Sequence, residues 1–268
     1  MVTSLVQYGL PATLGMFLWW FGTGAVLCAA RSGEATFRPA MATASALGAA
    51  GLAGIGWSAA SATTGGAYAA FISTMLVWAW LEASFYLGYV TGPRRQCCHP
   101  GCSGARHFGH ALGVSLYHEL AIAAAAAAIA LLTWHAPNRL ALWTTLVLWA
   151  MHESARLNVF LGVRNISEGF VPAHMEFLRC FLVRRPINPL FPVSIALAAV
   201  AGIALIRDAA VAETPFGATA ATFLATMTTI GFVEHWMLFL PISADTLWSW
   251  AARRPLRGDV ARTLGGHA

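Results

Sequence analysis

Polar residues interrupt an apolar stretch with the sequence LVLWAMHESARLNVFLGVRN, residues 146–165. The stretch begins with the Leu, Val and Trp of a membrane helix and then places His152, Glu153, Arg156 and Asn158 close together. Glu153 stands three residues before Arg156 and His152 stands four before it, so these side chains can share one helix face. An imidazole, a carboxylate and a guanidinium on one face can pair with each other, hold a metal ion or bind a polar ligand.

Three further apolar stretches carry ionisable residues of the same kinds. They are WAWLEASF with Glu82, SLYHELAI with His118 and Glu119, and GFVEHWMLFLP with Glu234 and His235. In the topology predicted below, all these residues lie roughly 9–15 Å from the cytoplasmic ends of their helices, at ~1.5 Å per residue. We therefore expect four helices to bring polar groups to one level. A charge at the centre of a membrane helix costs ~2.5–3.5 kcal/mol, so the groups must meet inside the bundle.

Several interpretations of this polar centre stay open from the residues alone. The first is an ion-pair cluster that only holds the helices together. The second is an iron, manganese or zinc site, although no H-E-x-x-H or Glu-x-x-His motif is present. The third is a tetrapyrrole site with one His as axial ligand and Arg156 facing a propionate or carbonyl. The fourth is a proton or ion path, and a quinone or lipid site is a further alternative.

The candidate residues for these sites overlap. The candidate cofactor-binding residues are His118, Glu119, His152, Glu153, Arg156, Asn158, Glu234 and His235. The candidate metal ligands are Glu82, His118, Glu119, His152, Glu153, Glu234 and His235.

Membrane helices are the elements that must position these residues. The chain of 268 residues is 58% hydrophobic and 10% charged, with a mean hydropathy of +0.64, which excludes an ordinary soluble domain. The second apolar stretch is short and rich in Gly and Ala, so six spans are the alternative to seven. We expect one all-α polytopic membrane helix bundle over residues 1–268, because no loop is long enough for a separate domain. The predicted spans are about 5–29, 40–58, 67–90, 111–132, 138–162, 189–206 and 216–240.

The arginines predict the orientation of the bundle. Thirteen of them lie in the loops after spans one, three and five or in the C-terminal tail, and two lie on the opposite side. This asymmetry predicts an outside N-terminus, a cytoplasmic C-terminus, and cytoplasmic segments at about 91–110, 163–188 and 241–268. The net charge of +5 gives no reason to expect nucleic acid, because the arginines flank the membrane. The partner that the composition predicts is the lipid bilayer.

The cysteines, the loop after span three and the segment after span five give weaker indications of structure. Five scattered cysteines imply no disulfide framework. The loop TGPRRQCCHPGCSGARHFGH places three Cys near three His and could bind zinc, but its irregular spacing favours an ordinary cytoplasmic turn. Residues 172–183 are predicted to form a short amphipathic helix beneath the polar centre.

Several stretches resemble the PuhE-type photosynthetic complex assembly proteins of purple phototrophic bacteria. They are TGPRR, YHELA, RLNVFLGVRNISEGFVP, RRPINPLFPVS and EHWMLFLPISADTLWSW, within residues 78–250. The resemblance implies a multi-pass protein of the bacterial inner membrane, cytoplasmic or intracytoplasmic, associated with genes for the reaction-centre H subunit. It also implies a role in assembling the reaction centre and its core antenna, but no chemistry. The matching motifs contain His118, Glu119, Arg156, Asn158, Arg164, Asn165, Glu168, Glu234 and His235.

Three hypotheses follow for the function. The favoured one is a non-enzymatic assembly factor, in which the polar centre binds a bacteriochlorophyll-type pigment or only holds the bundle. Its loops at 91–110 and 163–188 would contact reaction-centre or core light-harvesting subunits. The second is a membrane metalloenzyme acting on a pigment precursor or quinone, with Arg156 orienting an anionic group. The third is a transporter, against which the missing inverted repeat argues.

Overall fold

The computed structural model describes residues 4–166, 171–241 and 247–252. Glu168 and most of the predicted tail at 241–268 lie outside these ranges. Within them the chain is helical and forms no strand, which confirms the predicted all-α class. The long helices are α1 (Leu10–Arg31, preceded by a π-helical turn at Leu5–Gly9), α2 (Phe37–Ala59), α3 (Thr64–Tyr86), α4 (Gly104–Thr133), α5 (Leu140–Leu161), α6 (Leu190–Val211) and α7 (Pro215–Met237). A four-residue helix, α8 (Ser249–Ala252), follows α7.

Among the described residues, six helices are long and apolar enough to cross a membrane. This fits a multi-pass membrane protein, as predicted. The helix outside this set is α5, and not the Gly- and Ala-rich α2 that the sequence singled out as the weakest span. Helix α5 has 22 residues, the length of α1 and α6, but it carries His152, Glu153 and Arg156. Its polar residues therefore set it apart from the other long helices.

Local sequence signals fix where several helices begin and end. The hydroxyl oxygens of Thr63 and Thr214 accept hydrogen bonds from the Gly66 and Gly217 amides, which caps the first turns of α3 and α7. Helix α5 ends at Leu161, and the next residue is Gly162, whose φ of +115° is accessible to glycine and strained for other residues. The chain turns sharply at this point and passes beneath the bundle.

Small residues allow α2 and α3 to pack closely. A Cβ atom on Gly51 would lie 2.6 Å from the Ser73 carbonyl oxygen, and one on Gly48 would lie 2.9 Å from the Trp80 side chain. The same helices surround a central apolar core, where the rings of Phe71 on α3 and Phe223 on α7 stack at 4.0 Å. The predicted role of the Gly- and Ala-rich stretch in close helix packing agrees with this arrangement.

The segment between α5 and α6 forms a floor at one end of the bundle. The amphipathic helix predicted at 172–183 is a kinked 3₁₀ helix, Ala173–Phe181, with Met175 and Phe181 buried. A disulfide joins Cys97, in the loop after α3, to Cys180 of this helix. The cysteine spacing did not predict this pair, because only the folded chain brings together two cysteines separated by 83 residues.

Candidate functional site

Helix α5 presents three different faces to its surroundings. Successive residues of a helix are separated by about 100°, so neighbours in sequence point to different partners. His152 lies on the side that faces α3 and a cavity, while Glu153 and Arg156 point towards α4. Ser154 and Asn158, four residues apart, point towards α6 and α7. The polar residues His152, Glu153, Arg156 and Asn158 therefore divide among separate environments.

A cavity of about 440 Å³ lies inside the bundle, bounded by α1, α3, α5, α7 and the floor segment. Most of its lining is apolar, and four aromatic side chains, Trp19, Trp78, Tyr86 and Trp248, contribute to it. The ionisable residues that line it include Glu82, His152 and Glu234 from three different helices. A volume of about 300–1,000 Å³ with apolar walls and a few polar groups is typical of a small-molecule site.

The cavity residue His152 also belongs to a compact His/Glu cluster. The potential ligand atoms of Glu82, His118 and His152 all lie within 4.8 Å of one another, and His152 Nδ1 is 3.6 Å from Glu82 Oε1. His118 is buried at 1% exposure, and neither of its ring nitrogens has a hydrogen-bond partner. The Nε2 atom of His152 is also buried without a partner. Buried polar atoms are normally hydrogen-bonded, so these nitrogens mark a place where a ligand would complete the site.

Arg156 lies in an ion-pair group between α4 and α5. Its guanidinium pairs with Glu119, lies 3.2 Å from Glu153, and donates a hydrogen bond to Ser115. Arg156 does not line the cavity, so the described structure gives it the task of neutralising carboxylates instead of facing a bound ligand. The ligand atoms of Glu119, Glu153 and His152 also lie within 4.8 Å of one another, so this group adjoins the His/Glu cluster.

His235 and Asn158 lie in a third group, where hydrogen bonds join α5, α6 and α7. His235 Nδ1 is 2.7 Å from the Gly231 carbonyl oxygen, and its Nε2 is 2.8 Å from Ser154 Oγ. Ser154 and Asn158 both donate to Ser194 Oγ on α6, at 3.0 Å each. With both ring nitrogens engaged, His235 serves helix packing in this arrangement, and the structure does not bring it to the His/Glu cluster.

The chain matches a family over almost its whole length. The family described as "Protein of unknown function (DUF3623)" matches residues 5–258. The chain belongs to this family. It is 34% identical over 259 residues to the "Uncharacterized 30.4 kDa protein in puhA 5'region" of Rhodobacter capsulatus, covering 95% of this chain and 94% of that protein. No solved structure matches this DUF3623 protein.

Three of the motifs behind the resemblance meet at the floor of the cavity. Asn165, from the motif after α5, donates backbone and side-chain hydrogen bonds to the Leu238 and Met237 carbonyls at the end of α7. The Val163 amide donates to the Val183 carbonyl, and the Arg185 amide donates to the Val163 carbonyl. The segments LNVFLGVRN, RRPINP and EHWMLFLP therefore form one corner of this DUF3623 protein. Asn165 and Leu238 also line the cavity, so this corner closes it from below.

Sequence reasoning missed Asn188, which holds this corner to α6. Its Nδ2 donates to the carbonyls of Asn158 and Gly162 at 3.1 and 2.8 Å. Its Oδ1 accepts from the backbone amides of Leu190 and Phe191. An Asn just before the Pro-Leu pair that begins α6 was a readable N-cap signal.

Proposed function

We propose that this DUF3623 protein is a PuhE-type assembly factor for the photosynthetic reaction centre and its core antenna, and that its cavity binds the macrocycle of a bacteriochlorophyll-type pigment. The name of the Rhodobacter capsulatus relative, which refers to the puhA 5' region, supports the link to photosynthesis. The resemblance described above supports the role in assembly. In this proposal the segments at 91–110 and 163–188 contact reaction-centre or core light-harvesting subunits, and the protein acts without catalysing a reaction.

The cavity is the single observation that carries the pigment part of the proposal. A purely structural ion-pair cluster would leave no such space, whereas flat apolar rings pack well against Trp19, Trp78, Tyr86 and Trp248. His152 lines the cavity and offers an imidazole, the group that commonly serves as axial ligand to a tetrapyrrole metal. Glu82 and Glu234 would contact polar substituents at the ring edge. These residues therefore fit the class of ligand that the resemblance implies.

The first experiment compares pigment binding in wild type and in cavity variants. We expect wild-type protein, purified in mild detergent and incubated with bacteriochlorophyll a, to retain the pigment and shift its absorbance. His152→Ala removes the proposed axial ligand, so the apparent affinity should fall at least ~10-fold, which corresponds to 1.4 kcal/mol. Ala155→Phe adds a ring inside the cavity and should prevent binding, because the added side chain occupies the ligand's space.

A matched control lies on the same helix. Ala150 is exposed and does not line the cavity, so Ala150→Phe adds the same ring on the outside of α5 and should leave pigment binding unchanged. Equal pigment retention by wild type, Ala155→Phe and Ala150→Phe would contradict the proposed site. Monodisperse elution of each variant from a sizing column shows that it has folded.

A second candidate function is a membrane metalloenzyme acting on a pigment precursor or quinone. The convergence of Glu82, His118 and His152 favours it, since two imidazoles and one carboxylate suit iron, manganese or zinc. Elemental analysis of the purified protein tests this candidate. His118 belongs to this cluster but does not line the cavity, so His118→Gln should remove a bound metal and leave pigment binding intact. Loss of pigment from His152→Ala, together with a metal content that His118→Gln leaves unchanged, would favour the assembly factor.

We further propose seven spans, with the N-terminus outside and the C-terminus in the cytoplasm of the bacterial inner membrane. The arginine asymmetry supports this orientation. Helix α5 supports the count of seven, since it packs against α3, α4, α6 and α7 inside the bundle and has a spanning length of 22 residues. Its polar residues meet partners from these helices, which removes the obstacle to placing them in lipid.

The redox state of Cys97 and Cys180 tests this orientation. Thiols in the cytoplasm are kept reduced, whereas disulfides persist on the outer side of the membrane. We therefore expect these two cysteines to be thiols in living cells and to form their disulfide after lysis in air. Acid quenching followed by alkylation and mass spectrometry measures the two forms. A pair that is fully oxidised in cells would place this end of the bundle outside and reverse the proposed topology.

A further inference from the structure

Two cysteines and two histidines converge outside the His/Glu cluster, in the loop after α3 and the first turns of α4. Cys98 Sγ lies 3.1 Å from His110 Nδ1 and 3.4 Å from His107 Nδ1, and Cys102 Sγ lies 3.4 Å from His110 Nδ1. The ligand atoms of Cys98, Cys102 and His110 all lie within 4.8 Å of one another. Cys97 is engaged with Cys180, whereas Cys98 and Cys102 are free thiols. Cys97 faces Cys180 and not this group, whether the two are thiols or a disulfide, so the other two cysteines of the loop are available.

We propose that Cys98, Cys102, His110 and His107 hold a structural Zn²⁺ ion. Zinc prefers a tetrahedral set of sulfur and nitrogen ligands at about 2.3 and 2.0–2.1 Å. Tetrahedral angles at those bond lengths place sulfur and nitrogen about 3.6 Å apart. The three observed sulfur–nitrogen separations of 3.1–3.4 Å lie within a few tenths of an ångström of this value. The ligand atoms of Cys98, Cys102 and His110 already form a compact group, and His107 would have to move closer to it as the fourth ligand.

The spacing of the four ligands follows from their local structure. Cys98 and Cys102 are separated by three residues of turn, and His107 and His110 stand three residues apart on α4. Residues three apart on a helix face the same side, so both imidazoles can point at the cysteine turn. A short cysteine pair followed by a short histidine pair is the order found in Cys₂His₂ zinc sites, although the histidine spacing is one residue shorter.

Charge also favours a divalent cation at this place. Two thiolates and two neutral imidazoles neutralise Zn²⁺, so the occupied site would carry no net charge. Four protein ligands leave no open position, which is typical of structural and not catalytic zinc.

The ion would connect the loop after α3 to the floor of the bundle. The loop between α3 and α4 has little regular structure, so few backbone hydrogen bonds hold it. The His107 ring lies between Phe160 at the end of α5 and Phe181 of the floor helix, at 5.5 and 5.4 Å. Zinc would therefore hold the loop against the first turns of α4, and the His107 ring would join this unit to α5 and the floor helix.

The test is zinc stoichiometry in the full-length protein purified in mild detergent. We expect about one tightly bound zinc per chain in wild type, as in closed four-ligand sites. Cys98→Ala, Cys102→Ala and His110→Gln should each reduce the zinc content to near zero. Cys28→Ala and His135→Gln change the same residue types elsewhere and should keep the zinc. His152→Ala should also keep the zinc, and this result would distinguish the proposed site from the His/Glu cluster.

Cobalt substitution identifies the ligand atoms in protein that remains folded. Co²⁺ in the wild-type site should show thiolate-to-metal charge-transfer absorption, which weakens in each single-cysteine variant. Stripping the zinc with a chelator should lower the unfolding temperature of wild type and leave that of Cys98→Ala unchanged. A wild-type protein that binds no zinc when supplied with it would overturn the proposal. So would zinc retained by the Cys98→Ala/Cys102→Ala double variant.

Discussion

Arg156→Ala is expected to destabilise the bundle more than any other single change at the polar centre. Arg156 pairs with Glu119 of α4 and with Glu153, and it donates to Ser115. Removing it leaves two carboxylates close together in a bundle where they have lost their cation. Breaking a fully buried pair costs about 3–5 kcal/mol, out of a total stability of about 5–15 kcal/mol, and this partly buried group should cost somewhat less. We expect a large fall in the yield of folded protein and in its unfolding temperature in detergent.

Two further variants show whether charge is the cause. Arg156→Lys keeps the cation but replaces the planar guanidinium fork, so it should fall between wild type and Arg156→Ala. Adding Glu119→Gln to Arg156→Ala removes one unpaired carboxylate and should restore at least ~1 kcal/mol, because neighbours in one network are coupled by about 0.5–3 kcal/mol. Additive losses in the double variant would show that the pairing with Glu119 does not carry the effect.

Asn188→Ala is expected to give the second large effect, through the corner beneath the cavity. Asn188 is buried and makes four hydrogen bonds, two to carbonyls at the end of α5 and two from amides at the start of α6. Each buried group left without a partner costs about 1–3 kcal/mol. We expect a loss of about 3 kcal/mol or more, seen as a lower unfolding temperature and weaker pigment retention.

The hydrogen bonds that Asn188 makes to α5 can be separated experimentally from those that it makes to α6. Asn188→Ser keeps an oxygen that can cap α6 but removes the amide donors to α5, so it should recover only part of the lost stability. Glu176→Ala serves as the control on the same segment, because the exposed pair of Glu176 with Arg179 is worth at most ~1 kcal/mol. If Asn188→Ala unfolds at the same temperature as Glu176→Ala, the four hydrogen bonds of Asn188 do not stabilise the corner appreciably.

The long helices were predictable from the sequence because each is a local run of apolar residues of spanning length. The predicted spans overlap the seven long helices, although α4 begins at Gly104, before the predicted start near 111. Helix rise also predicts that the polar residues of neighbouring helices lie at similar heights, and the contacts of His152 with Glu82 and of Arg156 with Glu119 agree with this. Helix α5 shows what a sequence cannot predict. Its polar residues are evident in the sequence, but the rotation of the helix about its axis depends on packing with the other helices.

Only the tertiary structure decided which polar groups meet. It turned Arg156 towards Glu119, placed His152 beside Glu82 and the cavity, and enclosed His235 between Ser154 and Gly231. These outcomes depend on side chains from helices far apart in the chain, and no local pattern records them. The sequence by itself determined the membrane class, the helices and the inventory of ionisable residues. The fold decided the cavity, the separation of the polar centre into groups, and the sorting of the cysteines, because all three depend on contacts between distant segments.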